Sequence, residues 1–374
     1  MTTSSGLNGQ WVGRYSGSAQ GSIVINIDQV NFEYVGEAIL TDDGGGPALV
    51  AFFGIKELKP KFAFRTDLLK WFDNQTAQFV PREVIAPKYP QGSQFSTSAD
   101  VDGELSGDTL RLSWKTDIGT TGACELPRSK AGTTSELSME SKSWNEFKDY
   151  VSGLTSKRYL FRGQKAPFRL RTSFHRSGRV HLHRFLAQDI SALHKHLSGK
   201  TAHFFNLAVP DENGAFFNLV QHHGYPTPLL DWSYSPYVAA FFAYRRITKE
   251  QAAKADPDAQ VRVLVFDQLH WRNDWNQLPM LILPGPHVSI GEFLAVNNER
   301  MIPQQAASTI TNIDDIESYI RSKETEAKKY LWAIDLPVRE RVGVMAELAY
   351  MGITAGSMFP GLDGACEELR ERHF

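Results

Sequence analysis

Two cysteines, Cys124 and Cys366, are too few and too far apart for a disulfide framework or a structural zinc site, so the chain suits a reducing compartment. It has no run of about 18 apolar residues, and no charged-then-apolar leader opens it; both point to a soluble, cytoplasmic protein. An excess of one charge is missing too: 40 Lys and Arg stand against 42 Asp and Glu, a formal charge of −2. That balance excludes a global pull toward nucleic acid or acidic membranes and leaves room only for a local basic patch. No internal repeat is visible. What is there is ordinary for a globular protein, 42% apolar and 22% charged residues, and 374 residues favour two domains.

The first 127 residues alternate apolar and polar side chains. "GSIVINIDQV" and "FEYVGEAIL" have a period of two, "DDGGGP" marks a turn, and "GELSGDTLRLSW" reads as a hairpin around Ser-Gly-Asp. The segment 56–98 is less regular. This half is expected to be an antiparallel β barrel or sandwich acting as a sensor or recognition domain. Residues 128–142, rich in Ser, Thr and Lys, read as a linker. From Ser143 onward helices and strands mix. Ser143 caps a helix with Trp144, Phe147 and Val151 on one face, "SPYVAAFFAYRRITKEQAAKA" reads as one long helix, and "VRVLVFDQL" reads as a strand.

Three stretches in this second half carry unusual chemistry. In "YLFRGQ", Arg162, Gly163 and Gln164 end an apolar strand. In "QHHGYPTPLLDWSYSPYVAAFFA", the strand "LLDWS" runs into a helix that Ser235 caps and Pro236 begins. His222 lies upstream, and Asp231, Trp232, Ser233 and Tyr234 sit at the junction, where free backbone N–H groups favour an anionic or polar ligand. The third stretch is "NNERMIPQQ", with Glu299, Gln304 and Gln305. Each residue has a plainer reading: Arg162 pairing a carboxylate, Asp231 stabilising a turn, the histidines half-buried, Glu299 solvated. The clustering of polar groups at strand ends favours a site.

These stretches, with "GITAGSMFPGLDG" at 352–364, resemble the FRG domain, named for its Phe-Arg-Gly motif, over roughly residues 140–370. One departure is "QQAAS", where the family often has a glycine after the paired glutamines. The order Arg162, "DWSYSPYVAAFFA", Glu299 also resembles ADP-ribosyltransferases, which implies a mixed α+β domain over 143–374 with a split sheet and NAD as substrate. On that resemblance Glu299 stabilises an oxocarbenium ion and Arg162 grips the diphosphate, with Gly163 letting the backbone approach. Gln164, Ser233 and Ser235 hold the cofactor, Trp232 or Tyr234 stacks on its ring, and His222 and Asp231 assist. Glu292 or Glu347 replaces Glu299 if the strand assignment slips. FRG domains with added modules resemble bacterial toxin or phage-defence proteins.

Two other readings stand beside it. A metal-dependent nuclease or hydrolase finds ligands in His222, His223, Asp231 and Glu299, with His181, His183, His194 and His196 near a basic, exposed helical face. The spacing matches no strong zinc signature, so no metal is expected. A recognition module without catalysis finds support in "KAPFRLRTSFHRSGRVHLHR", whose basic and aromatic residues suit nucleic acid. Arg169, Arg171, His175 and Arg176, with Gln304 and Gln305, are the candidate nucleic-acid or substrate contacts. A regulatory partner or small molecule at the β domain completes the expected partners.

Overall fold

A computed structural model describes residues 6–373, apart from 58, 279, 295, 297 and 298. Two sheets dominate it. The first has strands β1 (Gly9–Gly17), β2 (Gly21–Val30), β3 (Glu33–Asp42), β4 (Leu49–Ile55), β5 (Lys61–Thr66), β6 (Leu68–Asp73), β7 (Gln78–Val80), β8 (Ala99–Ser106), β9 (Thr109–Thr116) and β10 (Thr121–Pro127). They pair antiparallel in the order β5-β8-β9-β10-β1-β2-β3-β4-β6-β7. Alternation sends Ile23, Ile25 and Ile27 to one face, where they share a core with Trp11 of the neighbouring β1 and with Leu110, Leu112 and Leu126. Curling of the sheet brings Phe53 of β4 onto Phe64 of β5, ring centroids 4.8 Å apart. This is the large antiparallel sheet the alternation predicts, and the hairpin turn falls at Gly107, with φ of 58°. Its interior holds an apolar cavity of about 60 Å³, well below the size of ordinary small-molecule pockets.

The second sheet is mixed and has seven strands, ordered β11-β17-β14-β12-β13-β16-β15. These are β11 (Met139–Ser141), β12 (Tyr159–Gln164), β13 (Leu229–Ser233), β14 (Gln260–Asp267), β15 (Val288–Gly291), β16 (Ala306–Thr311) and β17 (Leu331–Pro337). Helices α1 (Trp144–Ser152), α2 (Pro210–His222), α3 (Pro236–Tyr244), α4 (Arg341–Tyr350) and α5 (Leu362–His373) flank it, among shorter turns. Ser143 caps α1 through a reciprocal pair with Glu146. Ser235 caps α3 by accepting from Val238 N at 3.3 Å. One core packs α1, α3 and α4 on one face of the sheet; a second gathers Leu160, Trp232, Phe266 and Trp271 on the other.

Several expectations need correction. The long helix predicted over 235–255 is two: α3 ends at Tyr244, and Thr248 caps a separate short helix, Lys249–Ala253. Residues 128–142 are no free linker. β11 pairs parallel with β17, Met139 opposite Ala333, and Ala131 and Leu137 are buried.

The two halves are joined by buried polar contacts. Val24, Asn26 and Asp28 project from the outer face of β2 yet are buried, because that face docks on the second half. Asp28 accepts from Val180 N at 2.7 Å and from Arg179 Nε at 3.2 Å. Glu37 lies 2.5 Å from His183 Nδ1 and 3.2 Å from His181 Nδ1. Burial alone raises the Glu37 carboxyl, but the two imidazoles outweigh it and hold the pKa at about 2. Gln10 donates to Asn312 O at 2.7 Å and accepts from Asp314 N at 2.9 Å. His181 and His183 therefore belong to this interface, not to an exposed face as expected. Among the described residues no helix is long and apolar enough to cross a membrane.

Candidate functional site

β12 pairs with β14 from Tyr159↔Asp267 to Gln164↔Arg262, and β13 pairs with β16 from Leu229↔Ile310 to Ser233↔Ala306. Between themselves β12 and β13 share the single pair Phe161↔Ser233. Beyond it the strands part, and a cleft of about 540 Å³ opens, lined from β12, β13, β16, α2, α3 and the loops at 300–304 and 359. Parting strands leave ladder groups unpaired. The Arg162 guanidinium answers this by donating from Nη1 to Asp231 O at 2.5 Å. Its Nε is buried and has no partner among the described residues, as is Gln164 Oε1.

The lining is strongly cationic. Arg162, Lys165, Arg169, Arg176, Arg245, Arg246 and Arg300 face it, and Asp231 is its one acidic residue among the described residues. Arg169 pairs with Asp315 at 2.8 Å and Arg245 with Glu367 at 2.6 Å. Burial pushes Arg162 down to about 10, with Asp231 pulling upward and Arg176 adding to the fall. Arg176 and Arg300 are also lowered, by burial first and then by Arg171 and Arg245 respectively. All three remain cations at neutral pH, and an entering anion relieves the repulsion among them. Gln221 bridges Asp231 and Thr227: its Nε2 donates to Asp231 Oδ1 and its Oε1 accepts from Thr227 Oγ1.

The structure brings Arg162, Gly163, Gln164, His222, Asp231, Trp232, Ser233 and Gln304 to this cleft, together with Arg169 and Arg176. Several of them have other work. A Cβ on Gly163 meets Ala239 O of α3 at 1.8 Å, so the missing side chain admits a helix rather than a ligand. Trp232 is buried, its Nε1 bonded to Thr309 Oγ1 at 3.1 Å and its ring packed on Phe266, so it cannot stack on a ligand. Tyr234 lies outside the lining and donates to Glu292 Oε1 at 3.1 Å. Ser233 Oγ donates to Gln304 O at 2.7 Å, and Ser235 serves its helix cap.

Glu299 is exposed, sits on a turn rather than a strand, and lies outside the lining; Asn297 and Asn298 lie outside the described residues. Neither substitute replaces it. Glu292 accepts from Tyr234 and from Arg272, while Glu347 accepts from Lys148 and from Trp144 Nε1. Gln305 is outside the lining too, with a left-handed φ of 46° where the departure "QQAAS" put the loop shape in question.

The basic run is largely spoken for. Arg171 pairs with Asp314 at 2.6 Å and Arg179 with Asp28 and Asp189. His175 is buried; burial first, and Arg171 next, depress its pKa to about 3, so it is neutral and a poor phosphate ligand. These residues tie the chain to itself and are unavailable as a nucleic-acid face. Among the described residues no group of three or more His, Cys, Asp or Glu is placed to hold a metal ion. Arg245, Arg246 and Arg300 were not singled out from the sequence, and Lys165 stood there only as the first residue of the basic run. The Arg-Arg pair closing the apolar helix α3 was the one local signal, since cations favour a helix C-terminus.

The family model for the FRG domain matches residues 157–252. The chain carries an FRG domain. Its matched span holds β12, β13 and α3, and with them six of the seven cleft cations; Arg300 and Gln304 lie beyond it. No curated protein matches the chain. Among solved structures, a redesigned β barrel and a de novo designed fluorescence-activating β barrel match 33% of this chain, at 13% identity and a TM-score of 0.21. The match covers 92% and 94% of those chains respectively.

Proposed function

We propose that the cleft of the FRG domain binds the phosphates of a nucleotide, and that the nucleotide is NAD, used for ADP-ribosyl transfer or NAD hydrolysis. The carrying observation is the lining itself: seven Lys and Arg, one carboxylate, and a buried guanidinium with an unpartnered Nε. A diphosphate supplies an acceptor oxygen for the Arg162 Nε and negative charge to match the surrounding cations. The parting of β12 from β13 suits the split-sheet expectation, since an open seam between central strands gives a dinucleotide room. Glu299 does not fit the carboxylate role, and Asp231 takes its place, oriented by Gln221. A fixed carboxylate beside the ribose favours the positive charge that builds as the nicotinamide bond breaks.

The test is incubation with labelled NAD, following free nicotinamide and label on macromolecules, with binding measured in parallel by calorimetry. Arg162→Ala is expected to weaken binding at least tenfold, the cost of a lost charged hydrogen-bond partner. Asp231→Asn is expected to keep binding and abolish turnover. No nicotinamide release by the intact protein, with NAD binding retained, removes the enzymatic half of the reading. The excess of guanidinium over carboxylate favours a second reading in that event, phosphate recognition without turnover.

A further inference from the structure

Five Phe and Trp rings line the cleft among the described residues, and four of them are unavailable to a ligand. Phe161 and Trp232 are buried in the two cores flanking the sheet. Phe359 is covered by the guanidinium groups of Arg245 and Arg300, at 4.0 and 4.9 Å from its ring centroid. Phe242 packs against Phe241 and edge-on to Phe359. The fifth ring, Phe168, is 50% exposed and, among the described residues, touches no other ring.

Phe168 is also held still. Its backbone forms a bridge with Thr134, its N–H donates to Ala166 O at 2.7 Å, and Ser135 N donates to Pro167 O at 3.1 Å. Pro167 fixes the turn just before it. Lys165, three residues upstream, also lines the cleft. An aromatic face presented by a rigid backbone beside cations is what a phosphate with an attached flat ring recognises, because stacking needs an open face and little ordering.

We infer that Phe168 is the platform on which a base of the bound nucleotide stacks, in place of Trp232 and Tyr234. The cleft thereby separates nucleotides from inorganic phosphates. This rests on the reading that the cleft binds nucleotide phosphates.

The experiment titrates the full chain with NAD and, separately, with inorganic pyrophosphate, comparing the parent with Phe168→Ala and Phe168→Trp. Phe168→Ala is expected to weaken NAD binding about tenfold while pyrophosphate binding stays at the parental value, and Phe168→Trp is expected to restore NAD binding. A half-exposed position makes both variants compatible with folding. Unchanged NAD affinity in Phe168→Ala, or an equal loss for both ligands, overturns the assignment. Parental protein that binds pyrophosphate but not NAD sinks the platform and leaves the phosphate reading standing. Binding of neither ligand removes both.

Discussion

Gly163 shows how one missing atom group fixes the shape of the site. β12 and α3 approach so closely there that an added Cβ falls 1.8 Å from Ala239 O and 2.6 Å from Ala243 N. Both obstacles are backbone and cannot swing aside. Gly163→Ala is therefore expected to destabilise the fold by about 3 kcal/mol, the upper range of core overpacking, seen as a lower denaturant midpoint with an unchanged slope. The sequence made Gly163 conspicuous but not its reason, because a close approach to a ligand and a close approach to a helix ask for the same residue. Asp231 was legible for the opposite cause: a strand end followed by a capped helix is a local pattern, and the structure has both. Trp232 was misread because an indole beside polar neighbours looks available until its Nε1 is found bonded to Thr309, 77 positions away.

The elements repeat that division between local and distant causes. The alternation of β2 and β3, the Ser143 cap and the Ser235-Pro236 start were readable from neighbours alone. The segment 165–184 was not. Its arginines and histidines looked like a surface for nucleic acid because their acidic partners, Asp314, Asp315, Asp28 and Glu37, lie more than 140 positions away. β11 reads as linker from the sequence because its parallel partner, Ala333 opposite Met139, leaves no local trace. The Glu37 contact yields a pH-dependent expectation. Its carboxyl is depressed from 4.5 to about 2, so the stability it contributes is fully present above pH 4.5 and is lost as pH falls toward 2. Glu37→Gln is expected to cost about 3 kcal/mol at pH 7, measured by chemical denaturation. The gap between variant and parent should close as the buffer is acidified through that window.

For the whole molecule, the two halves are less separable than a two-domain chain with a polar connector implies. A chain beginning at Ser143 loses β11 from the edge of the second sheet, Thr133 and Thr134 from beside Arg169, and the carboxylates of Asp28 and Glu37 from His181 and His183. Such a fragment is expected to melt well below the intact chain and to exchange its amides fastest around 165–184, which hydrogen exchange reads directly. Equal protection of that segment in fragment and parent contradicts the buried interface. The segment 128–142 is thus part of the scaffold on which Phe168 and Arg169 are held, and the N-terminal half of the one that holds His181 and His183.

The bond from Gln10 to Asn312 spans 302 positions. During synthesis at about 5–20 residues per second, the first β half is complete for roughly 9–37 s before that partner emerges. Asp28 and Glu37 stay hydrated on a face built to be covered until residues 179–183 emerge, and Gln10 until Asn312 follows. A neighbouring nascent chain presents the same complementary segment, so crowded polysomes favour exchange of halves between copies, and slower translation between residues 180 and 312 lengthens the exposure.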